Sequence, residues 1–176
     1  HYSSRRQRQM CIRDRFKLNL EKVLADQKKG VVTKSGNLTL ISSKGKVLRK
    51  GILEGIVNGA WGVSIDGQDN VFASDFLGSG FAKICGTSED NCPAYHATGD
   101  LIHLYQSGII QKVTDTMIDD AGNVWIANNW DYLPALVDAD PDRRMATRGG
   151  GTGITVIYGI ASPVLNPLIG QVRRPE

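Results

Sequence analysis

Two short strings in this chain repeat one another: SIDGQDNVFASDF (Ser64 to Phe76) and MIDDAGNVWIANNW (Met117 to Trp130). Aligning Ile65 with Ile118 pairs Asp66 with Asp119, Asn70 with Asn123, Val71 with Val124 and Phe72 with Trp125, at a constant offset of 53. Each half alternates apolar and polar residues over a few positions, which is strand periodicity. Between the halves, Gly67 or Gly122 with Asp and Asn supplies residues that tolerate left-handed backbone at a tight turn. Each string therefore predicts a β-hairpin.

A fainter repeat precedes each hairpin. GNLTLISSKGKVL (Gly36 to Leu48) aligns with GDLIHLYQSGIIQ (Gly99 to Gln111) at an offset of 63, pairing Gly36 with Gly99, Leu38 with Leu101 and Gly45 with Gly108. This pattern also predicts strand, Gly turn, strand, so the expected order is two hairpins and then the same two again. The first copy's connection, around KGILEGIVNGA, is ten residues longer, the difference between offsets of 63 and 53. A unit of roughly 40 to 50 residues built from four short strands is the signature of a β-propeller blade. Its first strand would be AWGVSID or TDTMID and its second NVFAS or NVWIA. The expected fold class is all-β: a partial β-propeller of about two and a half four-stranded blades, a fragment of a larger closed ring. Alone, such a piece would expose the apolar face of its first blade and self-associate.

With 176 residues and 41% hydrophobic composition, the chain can bury a core and does not resemble a disordered one. No run of about 18 apolar residues is present, and no apolar leader opens the sequence, so no membrane span is expected. It begins at His1 rather than Met, which places the expected start, with any signal peptide and the missing blades, upstream.

The formal charge of +3 is unevenly placed. Residues 1 to 15, HYSSRRQRQMCIRDR, carry five Arg against one Asp, a net +4. Residues 16 to 50 hold nine basic and two acidic side chains (+7), whereas residues 51 to 176 hold seven and fifteen (−8). No aromatic residues interleave with the lysines, so no nucleic-acid groove is expected. The string RQMCIRDR resembles a translated sequencing adaptor of the kind found in metagenomic reading frames. Residues 1 to 15 are accordingly taken as a non-native or disordered tail that contributes nothing to the fold, removing Cys11 from consideration. Residues 16–35 are read as a linker or partial strand, 36–170 as the partial propeller and 171–176 as a C-terminal tail.

Cys85 and Cys92 enclose GTSEDN. An even pair closing a short polar loop suits a disulfide in an oxidising compartment. Two free thiols and a zinc half-site are the alternatives, and zinc would need a closer cysteine spacing and two further ligands.

The pattern Gly-Val-x-Ile-Asp-Gly-x-x-Asn-Val-aromatic at residues 62 to 72, with its copy at 116 to 125, resembles the six-bladed propellers of the NHL, virginiamycin B lyase and gluconolactonase-like group. The ordered set ICG, NCPA, TGD, IDDAGNVWIANNW and GITVIYGIASPVLNPLIG resembles the C-terminal part of bacterial NHL-related propeller proteins of unassigned function. The likeness covers residues 36 to 170. The stretch from Asp100 to Val113 is shorter than the family pattern, and Asn166 stands where Thr is usual. The resemblance implies export, to a secreted or periplasmic location, and a scaffold that binds a small molecule or a protein. It also implies the alternative of a metal-dependent lyase or lactonase-like enzyme.

The repeat splits the polar residues between two faces. Asp66, Asn70, Asp119 and Asn123 fall on the turn side, where Asp and Asn hydrogen-bond their own backbone. Asp75, Asn128, Asn129 and Trp130 fall at the other end, around the expected channel, and are the candidate ligand-binding residues. Oxygen-bearing side chains beside an aromatic suit a hard cation, Ca²⁺ or Mg²⁺, or a small polar ligand with a stacking ring. Against a lactonase-like metal site, the Glu residues beyond residue 50 are Glu54, Glu89 and Glu176, none at a matching position. A lyase would need His and Glu acting with Mg²⁺, and no such pair is placed. His103 alternates with Leu101 and Tyr105 as a strand-face residue, and His96 lies in a polar loop with no positioned nucleophile. VDADPDRRMATRGGG (Val137 to Gly151) lacks the Gly and Glu of a helix-loop-helix calcium site, and GGGTG lacks the Lys-Ser or Lys-Thr of a phosphate loop.

Overall fold

The structure, a computed structural model of the chain, describes residues 36 to 130 and 150 to 164 and the short strand Met10–Cys11. The readings placed on residues 16–35, 137–149 and 171–176 lie outside the described residues. Within residues 1–15, Met10–Cys11 (β1) pairs antiparallel with Leu38–Ile41 (β2), Met10 opposite Leu40 and Cys11 opposite Thr39. On its other edge β2 pairs with Val47–Ile52 (β3). Gly45 turns that hairpin at φ 79°, a left-handed conformation that costs glycine little. The Ser42 N–H donates to the Lys46 carbonyl at 2.8 Å across the turn.

The middle sheet is a four-stranded antiparallel meander: Ala60–Ile65 (β4), Val71–Asp75 (β5), Gly80–Ile84 (β6) and Leu101–Gln106 (β7). The last sheet has three strands, Lys112–Ile118 (β8), Val124–Trp130 (β9) and Gly150–Ile157 (β10), with β9 in the centre. The two repeated strings are the hairpins β4–β5 and β8–β9, closed in the same register by Ile65 opposite Val71 and Ile118 opposite Val124. Among the described residues the chain is all-β, in three antiparallel sheets, with a single 3-10 turn at Glu89–Asn91. No helix among them is long and apolar enough to cross a membrane.

One expectation is corrected. Gly99 to Gln111 is not a second copy of the β2–β3 hairpin, because β7 pairs with β6, with Tyr105 opposite Phe81, and β8 opens the next sheet. Alternation and a glycine look alike in sequence whether two strands pair or part. The backbone separates the cases: Gly45 has a positive φ, whereas Gly108 is not among the positive-φ glycines. The Ser107–Gly108 turn carries the chain from one sheet to the next.

The alternation of a strand sends successive side chains to opposite faces, and the middle sheet uses both. Val71, Ala73, Ala82 and Ile84 meet Leu38, Leu40, Ile52, Leu53 and Val57 of the first sheet and its connection. Phe72 and Phe81 meet Ile110, Val113, Val124 and Ile126 of the last. The Phe81 ring stacks on Tyr105 at 4.7 Å and lies 6.2 Å from Phe72. Burying each phenyl fully is worth about 2 to 3 kcal/mol. The leading strands β4 and β8 run close together. Ser64 Oγ and Thr116 Oγ1 are 2.8 Å apart, and a Cβ on Gly62 would lie 2.6 Å from the Asp115 Cα, so glycine is required there.

Candidate functional site

At the turn end, the two repeated aspartates build the same structure twice. Asp66 Oδ1 accepts the N–H groups of Gln68 (3.0 Å) and Asn70 (2.9 Å), and its Oδ2 accepts Asn70 Nδ2 at 3.1 Å. Asp119 Oδ1 accepts Ala121 (3.0 Å) and Asn123 (2.8 Å), and its Oδ2 accepts Asn123 Nδ2 at 2.9 Å. The left-handed positions are Asp69 (φ 70°) and Gly122 (φ 80°), again 53 residues apart. Gly67 is glycine for another reason: a Cβ there would strike the Pro163 carbonyl. The segment after β10 crosses both turns. Ser162 N–H donates to Asp66 Oδ2 at 3.0 Å, Ala161 N–H to the Gly122 carbonyl at 3.1 Å and Gly159 N–H to Asn123 Oδ1 at 3.1 Å. These carboxylates are occupied by backbone donors and hold the turns.

Trp125 Nε1 also donates to Asp119 Oδ2 at 2.9 Å. That bond, with those from Asn123 and Ala121, lowers the Asp119 pKa from the usual 3.8 to about 2, because each donor favours the ionised form.

The loop after β6 docks on the first of these turns. Cys85 and Cys92 are joined by a disulfide, their Cα atoms 5.5 Å apart, and Gly99 N–H returns to the Cys85 carbonyl at 2.8 Å. Asp69 Oδ2 accepts the N–H groups of Thr87 (2.8 Å) and Ser88 (3.0 Å) and both hydroxyls, at 2.6 and 3.2 Å. Gly86 has no room for a side chain against the Asp69 carbonyl. Further along the loop, Arg49 of β3 donates to the Thr98 carbonyl and meets Asp100 Oδ1 at 3.3 Å. Hydrogen bonding from the Ala97 N–H, then the Arg49 guanidinium, holds Asp100 below the usual carboxylate range.

The opposite strand ends carry the four candidate binding residues. Asp75 is buried at the end of β5, its Oδ1 accepting Asn58 N–H at 2.6 Å and Gly78 N–H at 3.1 Å. Asn128, its repeat counterpart, is buried on β9; its Oδ1 accepts Gln111 N–H at 3.1 Å, and its Nδ2 donates to the Ile109 carbonyl and Thr155 Oγ1 at 3.1 and 2.7 Å. Asn58 and Gln111 are themselves 53 residues apart. Asp75 and Asn128 thus perform one task twice, pulling the loop that precedes the leading strand against the end of the second strand. Asn129 is exposed, and the Trp130 side chain lies outside the described residues.

An exposed aromatic outside the matched pairs of the repeat lies at this end. Trp61, at the start of β4, is 51% exposed and leans on the buried Phe76, ring centroids 5.0 Å apart. Its counterpart 53 residues on is Thr114, and that of Phe76 is Asn129. The signal that marks Trp61 is this departure: a large aromatic in one copy where the other has a small polar residue.

His103 is an exposed strand-face residue, opposite Lys83 and edge-on to Tyr105 at 4.4 Å. His96 Nδ1 lies 3.2 Å from the Ala94 carbonyl. Among the described residues, no group of three or more His, Cys, Asp or Glu is placed to hold a metal ion. No protein-family model matches the chain, and no curated protein matches it.

Proposed function

We propose that the chain is part of a β-propeller that binds a small polar ligand or a protein at the strand ends carrying Asp75 and Asn128. The stacking of three antiparallel sheets, with β4 and β8 side by side, supports a propeller arrangement, and the sheets comprise an outer hairpin, a full four-stranded unit and three strands of another. Closing such a ring takes further sheets beyond these three, which another segment of the chain or another copy of it would supply. The observation that carries the binding reading is the doubled loop lock. By fixing the loops before β4 and β8, Asp75 and Asn128 give Trp61, Thr114 and Asn129 a rigid platform at one end. An exposed indole and an exposed amide at corresponding strand ends are suited to a ligand that stacks and hydrogen-bonds. A metal-dependent lyase or lactonase on this scaffold is less well supported, because the Asp75 carboxylate is held by backbone donors. The Cys85–Cys92 disulfide fits a secreted or periplasmic location.

Calorimetric titration of the whole chain with Ca²⁺, Mg²⁺ and a panel of hexoses tests the reading. Binding that is lost in Trp61→Ala and Asn129→Ala while their unfolding midpoints stay near the wild type supports it. Equal heats in wild type and variants overturn the placement of the site.

A further inference from the structure

We propose that the open face of the last sheet receives the first sheet of a second copy of this chain, so that copies associate head to tail. The inference rests on the stacked-sheet reading above. Strand alternation and register put Met117, Trp125 and Val156 in one row across β8, β9 and β10, with Asp115, Ala127 and Ile154 in the next row on the same side. Met117 is 69% exposed, Trp125 43% and Ile154 66%. The internal repeat shows how such a face is covered. Phe72, the counterpart of Trp125, is fully buried because the apolar face of the next sheet lies on it. An apolar face of this kind marks an association surface.

The occupant is indicated by shape and charge. On the first sheet Leu38 and Leu40 point to the core, leaving Thr39 and Ile41 on the other side, with Val47 opposite Ile41. Val47 and Leu48 are 41% and 50% exposed. Residues 36 to 53 hold no acid and carry Lys44, Lys46 and Lys50, with Arg49 spent on Thr98 and Asp100, whereas β8, β9 and their turn contain Asp115, Asp119 and Asp120 against Lys112. A basic apolar sheet faces an acidic apolar one, and the pairing is heterologous, so each copy keeps one free face of each kind. The bond from Trp125 Nε1 to Asp119 Oδ2 orients the indole before docking, lowering the entropy lost on association.

The test is sedimentation velocity of the full chain over a range of concentrations and salt. Species that grow with concentration and weaken as salt rises are expected; a monomer throughout overturns the proposal. Trp125→Lys disables the last sheet and Val47→Asp the first, and each alone should raise the dissociation constant at least about tenfold. Mixed, they should form a one-to-one pair and nothing larger, since each retains the face that the other lacks. If Val47→Asp associates alone as well as wild type does, two last sheets pair with each other and the proposal is wrong. Met117→Lys and Leu48→Asp repeat the experiment if either variant fails to fold. A disulfide between Ser64→Cys and Thr116→Cys within one chain reports sheet stacking separately. If it forms while the wild type stays monomeric, the propeller reading stands and the association does not.

Discussion

The middle and last sheets begin from the same string and end in different surroundings. Their hairpins share register, turn chemistry and the loop lock at the far end. Yet Phe72 is fully buried while Trp125 is 43% exposed. The local sequence builds the hairpin, and the neighbouring sheet decides what the hairpin buries. The residue types follow: phenylalanine, with no polar atom, sits where both faces are covered, and tryptophan, its N–H satisfied by Asp119, sits where one is open.

The comparison is most directly broken at this pair. Phe72→Ala should cost about 3 to 5 kcal/mol in urea unfolding, whereas Trp125→Ala should cost less than about 1.5 kcal/mol, as expected for filled and open sites. Equal losses would mean that the last sheet is also covered. The disulfide loop belongs to the middle sheet alone, docked on Asp69. Cys92→Ser should lower stability by about 2 to 3 kcal/mol, and alkylation without reductant should label neither Cys85 nor Cys92 in protein from an oxidising compartment.

The loop locks should respond alike. Asp75→Ala and Asn128→Ala each strand buried backbone donors, so each should cost about 1 to 3 kcal/mol by chemical denaturation. A large loss at one and none at the other would end the equivalence of the two sheets. The smallest effect is electrostatic. Because the Asp119 pKa is depressed to about 2 from 3.8, its contribution is present above pH 3.8 and is lost as pH falls through about 2. Asp119→Asn should therefore flatten part of the acid limb of stability between about pH 4 and 2, and a carboxyl titration by NMR should show the low midpoint directly.

What could be read in advance depended on how far apart the partners lie in the chain. The Asp66 and Asp119 turns were legible because donor and acceptor lie within four residues. The cysteine pair was legible for the same reason, with a separation of 7. The strand-end position of Asp75 and Asn128 followed from the repeat, but their bonds to Asn58 and Gln111 reach back 17 residues into loops with no pattern of their own. The need for glycine at 67 was invisible, since it comes from the Pro163 carbonyl in a distant segment. The parting of β7 from β8 was misread because periodicity describes a strand and not its partner. Trp61 carries no signal in the matched pairs of the repeat, because it stands where the two copies differ, opposite Thr114.

The segment that ties Gly159 to Asn123 and Ser162 to Asp66 has a consequence for the order of events during synthesis. The hairpins need only neighbours a few residues away and can close as they leave the ribosome, but the Ser162–Asp66 bond spans 96 residues. Contacts so distant in sequence form late. The two turns therefore wait, already shaped, for a latch that arrives only after β10 has been made, and it is that latch which ties the two turn ends to each other.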